Sequence, residues 1–105
     1  MRRMSGVVLM LGLCAAAGAA GLSEVPEQWV DRVTPIPQQR LGELEAATAA
    51  RIRETRSRIA GMLDGDDVSA VELAAVYGRL GALYAAHRMY AGAELAFGNA
   101  RTLEP

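Results

Sequence analysis

Few side chains in this chain could do chemistry. His87 is its only histidine and Cys14 its only cysteine, and all 11 basic residues are arginine. A hydrolytic site needs a nucleophile, a base and a group to orient the base, and the sequence names no partner of either kind for His87. Glu43 with Glu45 and Asp66 with Asp67 are paired carboxylates, but their adjacency does not suit acid–base work across a glycosidic bond. Asp64-Gly65-Asp66-Asp67 opens like a calcium loop. That loop needs an oxygen ligand where Val68 stands, glycine at Ser69 and glutamate at Ala75. The residues therefore predict no enzyme, no cofactor and no metal, and His87 reads as a capping or surface residue near a helix end.

With 105 residues, 11 basic and 12 acidic side chains and a formal charge of −1, the chain has no polybasic block for nucleic acid or an anionic membrane. One Trp, one Phe and three Tyr leave the core to Ala, Leu, Val, Ile and Met, and these favour helices over a β-sandwich.

Residues 1–20 have the layout of a secretory signal peptide: Met1-Arg2-Arg3-Met4, an apolar run from Val7 to Leu13, then small residues from Ala15 to Ala20. Extended to Leu22, the apolar stretch is still shorter than the roughly 20 residues that cross a bilayer core. Cleavage after Ala20 removes Arg2 and Arg3, takes the formal charge from −1 to −3, and leaves a mature chain without cysteine. The expected location is the periplasm or the medium. Leu11-Gly12-Leu13-Cys14 also resembles a bacterial lipoprotein box, although Leu13 stands where a small residue belongs; acylation at Cys14 would tether the same protein to a membrane.

Residues 21–39 carry Pro26, Pro35 and Pro37 and read as a linker, extended around Thr34 and Ile36. Trp29, Val30 and Val33 suit a helical turn docked on the domain or a loose tail. A helical domain is expected over 40–105. Leu41, Leu44, Thr48, Ile52, Thr55, Ile59, Met62 and Leu63 trace one stripe at steps of three and four, predicting a helix over 40–63. Glu43, Glu45, Arg51, Arg53, Glu54, Arg56 and Arg58 form its solvated face. Asp64–Asp67 is a connecting turn, and Ser69-Ala70-Val71-Glu72 has capping-box spacing that starts another helix.

The segment 70–105 alternates large and small residues in a fixed order. Tyr77-x₂-Leu80-Gly81-x₂-Tyr84 is followed by Ala93-x₃-Phe97, Ala100 and Pro105. It resembles one full tetratricopeptide repeat, residues 74–105, with tyrosine in place of tryptophan at Tyr77. The resemblance implies an all-α fold in which two antiparallel helices pack through Tyr77, Leu80, Gly81, Tyr84, Tyr90, Ala93, Phe97, Ala100 and Pro105, with the 40–63 helix as a third. Arg88 stands where the family usually has glycine, so it must take a strained or left-handed conformation, or the turn shifts by a residue.

The resemblance also implies a groove for a peptide or another protein on the first repeat helix, at Ala75, Gly78, Arg79, Ala82 and Ala86. Only Arg79 is charged there, too little to grip a carboxylate, and such small side chains suit close approach of a helix, the 40–63 helix being the nearest. The second helix is left for another copy of the chain, a further repeat or a partner to cover. The expected function is an exported scaffold or assembly factor of the bacterial envelope. The alternative is that the chain is the N-terminal helical domain of a larger exported enzyme or electron-transfer protein.

Overall fold

A computed structural model describes residues 25–105; the leader over 1–20 and Cys14 lie outside the described residues. The fold is all-α: three helices, α1 (Ala46–Leu63), α2 (Ala70–Ala86) and α3 (Tyr90–Leu103), with one 3₁₀ turn at Glu27–Trp29 and no strand among the described residues. α2 packs against both α1 and α3.

α1 begins at Ala46, whereas the stripe predicted a start at Arg40. Leu41 and Leu44 are half-buried on the core, but the Leu44 N–H donates to Leu41 O in a turn, and Glu45 is extended with φ −58° and ψ 147°. A turn and a helix share the i, i+3 spacing, so periodicity does not separate them. Within α1, Ala49, Ile52, Thr55, Ile59 and Leu63 are buried. So is Arg56, at 7% exposure, and this corrects its placement on the solvated face. Four residues from Ile52 and three from Ile59, it lies on the buried stripe.

α2 starts as the capping spacing requires, with the Glu72 N–H donating to Ser69 Oγ at 3.1 Å. It ends in a Schellman motif: the Met89 N–H reaches Tyr84 O at 2.9 Å and the Arg88 N–H reaches Ala85 O at 3.1 Å. Arg88 takes the left-handed conformation, φ 65°, with no shift of the turn. For an L-residue this costs about 1–2 kcal/mol, offset by the two carbonyls it satisfies. His87 is the exposed C-cap.

α2 and α3 form an antiparallel hairpin in which glycine meets an aromatic ring twice. A Cβ at Gly81 would lie 2.8 Å from two ring carbons of Phe97, and one at Gly92 would lie 2.9 Å from the Tyr84 ring. Tyr77, Leu80, Tyr84 and Ala93 are buried, and Ala100 and Phe97 pack half-buried against them. Tyr90 and Pro105 do not join this core. Tyr90 is 65% exposed because the Schellman turn hands the inward position to Met89, and Pro105 is exposed beyond the end of α3.

The segment read as a linker is packed on the helices. Trp29, Val33 and Ile36 are buried in the same core, the docked one of the two arrangements open to Trp29. We call residues 25–39 the strap.

Gly81 and Gly78 should respond oppositely to alanine. At Gly81 the new methyl group must displace the Phe97 ring, an overpacking cost of about 1–3 kcal/mol that exceeds the propensity gain. At Gly78 nothing lies within 4 Å of the added carbon, so Gly78→Ala should stabilise by about 1 kcal/mol. Helical melts followed by circular dichroism check both; equal shifts would contradict this packing.

Candidate interaction site

Two surfaces stand out. The first is the outward face of α2. Ala75, Arg79, Ala82 and Ala86 are exposed and Gly78 is half-exposed, so α1 does not cover them. The residues buried on α2 include Val76, Tyr77, Leu80 and Tyr84, and Arg56 of α1 reaches the last of these. The face continues to Val71, which is 56% exposed. Arg79 is its one charge among these residues.

The second is the groove under the strap, where polar side chains of the helices meet the strap's backbone beside its buried Trp29, Val33 and Ile36. Asn99 of α3 pairs with both main-chain groups of Thr34: the Thr34 N–H donates to Oδ1 at 2.7 Å, and Nδ2 donates to Thr34 O at 2.9 Å. Arg56 of α1 donates from Nη2 to Ile36 O at 3.1 Å and from Nη1 to Tyr84 Oη at 2.9 Å, with Pro37 O at 3.5 Å. Gln28 Nε2 donates to Leu63 O at 3.1 Å, satisfying a carbonyl at the end of α1. The hydrogen-bond acceptors of Arg56 among the described residues are these neutral oxygens.

No family model, curated protein or solved structure matches the chain.

Tyr77 lies below this contact. Burial pushes its hydroxyl from 10.0 up to about 12, against the lowering effects of the Arg56 charge and a hydrogen bond with the Asn99 side chain. The indole N–H of Trp29 is buried without an acceptor, while the Arg32 guanidinium stacks 5.4 Å from its ring centre. Among the described residues no three His, Cys, Asp or Glu gather as a metal site, and no helix is long and apolar enough to cross a membrane.

Sequence reading missed Arg56, Asn99 and the strap's role as their partner. A signal existed at Asn99. It falls three residues after Ala96 and four before Leu103, both buried, so the α3 pattern places an amide on the apolar stripe. A buried amide requires partners, and the sequence does not say that they lie at Thr34.

Asn99→Ala should cost about 1–3 kcal/mol, since it removes both bonds to Thr34 and the one with Tyr77. Arg56→Ala should cost more, because it leaves Ile36 O and Tyr84 Oη unpaired and opens a cavity. Denaturant unfolding measures both, and losses within about 0.5 kcal/mol, the range of neutral surface changes, would refute the clamp.

The raised pKa of Tyr77 also predicts an alkaline limit. Below pH 10 the hydroxyl is neutral in both states; above it the unfolded chain ionises and the folded one does not. Stability should fall between pH 10 and about 12 by about 2–3 kcal/mol. In Tyr77→Phe, stability measured over the same range should lose that component of the slope.

Proposed function

We propose that the chain is an exported, tetratricopeptide-like module for protein–protein contact, acting as a scaffold or assembly factor in the bacterial cell envelope. In this reading it catalyses nothing. The observation that carries it is the open face of α2, where Ala75, Gly78, Ala82 and Ala86 present small side chains to solvent on a helix braced from behind. A helix face without bulk lets an incoming helix or extended segment approach the backbone closely. The Gly81–Phe97 contact supports the repeat-like reading of the hairpin, since both residues are positions of the tetratricopeptide pattern. The layout of residues 1–20 supports export.

Photo-crosslinking in cells tests the site. With a crosslinking residue at Ala75 or Ala82 the chain should give a discrete protein adduct in the envelope fraction, and the same residue at Arg53, on the exposed side of α1, should not. Ala82→Arg should diminish the Ala75 adduct at least tenfold. Equal labelling from α1 and α2 would contradict the assignment. The mass of the mature N-terminus decides the tether, a free Gly21 for plain cleavage and an acylated Cys14 for a lipoprotein.

A further inference from the structure

We propose that the open face of α2 pairs with the same face of a second copy of this chain, the two helices antiparallel, in a symmetric dimer. The inference rests on the reading of that face as a contact surface and names its occupant. Val71, Ala75, Gly78, Ala82 and Ala85 are exposed or half-exposed and follow steps of four, three, four and three. That is the spacing of a seam on which two helices run side by side, and residues this small let the backbones come close. Along one edge of the seam stand Glu72 and Arg79, both exposed and of opposite charge. Seven residues separate them, two turns of helix and about 10 Å. They are therefore not the neighbours that pair along one helix at i, i+3 or i, i+4.

An antiparallel copy matches this face in size and in charge. With Ala75 set against the partner's Gly78, Val71 falls against the partner's Ala82. The one large side chain of the seam, 56% exposed, thus meets a small one, and the space beside Gly78 is open, with nothing within 4 Å of an added Cβ. In the same register Glu72, between Val71 and Ala75, meets the partner's Arg79. The two-fold axis repeats the contact, so Arg79 meets the partner's Glu72. A parallel copy does neither: it stacks Val71 on Val71 and leaves both charges without a counterpart across the seam. A two-fold contact requires a surface complementary to itself, and this face meets that requirement in one direction only. Side chains this small bury little area, which makes the dimer a weak one whose exposed charge pairs are sensitive to salt.

The test uses the full mature chain alone. Sedimentation equilibrium in low salt, at concentrations reaching about 1 mM so that a weak pair is populated, should give a mass rising toward twice the monomer. Monomer at every concentration overturns the proposal. Arg79→Glu and Glu72→Arg each set like charges opposite one another and should weaken association at least tenfold, while the two changes together restore both pairs and should recover it. Loss in the single variants without recovery in the double overturns the pairing. Should a charge variant fail to fold, Ala75→Cys and Gly78→Cys decide, since they leave the charges in place. Mixed under oxidising conditions, these two should form the disulfide between them faster than either forms one with itself, because only the mixed pair brings the two Cα atoms within disulfide range. Equal rates for all three products overturn the antiparallel register. The proposed function fails separately: a monomer that still gives an Ala75 adduct with another protein in cells removes the second copy and keeps the contact surface, whereas the absence of both removes both.

Discussion

The guanidinium of Arg56 is the joint on which the other elements depend. It is buried on α1, donates to the hydroxyl of Tyr84 on α2 and to the carbonyl of Ile36 in the strap, and so ties three elements at one point. A buried cation normally needs a carboxylate or several well-placed oxygens, because the loss of hydration is large. Here the oxygens are neutral. Their geometry must hold if the charge is to be tolerated, and a small displacement of the strap would leave it underbonded. The requirement works in both directions, since the strap carbonyl is equally in need of a donor.

The α2–α3 hairpin supplies the rigid part of this arrangement. Gly92 lets the Tyr84 ring approach α3 closely, which sets where the Tyr84 hydroxyl stands and hence where Arg56 must reach. Asn99 lies seven residues further along α3, two turns on the same face, and meets the strap at Thr34. The two polar contacts are thus spaced by helix geometry and matched to an extended segment in which Thr34 and Ile36 are two residues apart.

The parts legible in the sequence were those fixed by neighbours in the chain. Ser69 announces a helix start because its hydroxyl bonds an N–H three residues away, and the Gly81 and Tyr84 spacing announces a hairpin because both helices carry the pattern. The left-handed Arg88 was one of the arrangements implied by the glycine that the resembled family has there, a shifted turn being another. Arg56 and the strap were not legible in this way. The side chain of Arg56 is charged and flanked by other charges, and its burial depends on carbonyls at Ile36 and Pro37 that have no signature of their own. Proline spacing gave a non-helical segment around Thr34 and Ile36 but said nothing about what it lies on. The exposure of Tyr90 depends on which residue the Schellman turn passes inward, a matter of one position that a pattern of large residues does not resolve.

The pairing of Thr34 with Asn99 joins residues 65 apart in sequence, and this sets an order of events. A chain emerging from its N-terminus presents the strap first and α3 last. The strap must therefore wait, with Trp29, Val33 and Ile36 uncovered, until nearly the whole domain is available, while the hairpin can close from local contacts alone. The first described segment to appear is the last that can settle, and for that interval its three apolar anchors are what a chaperone or a neighbouring nascent chain would meet.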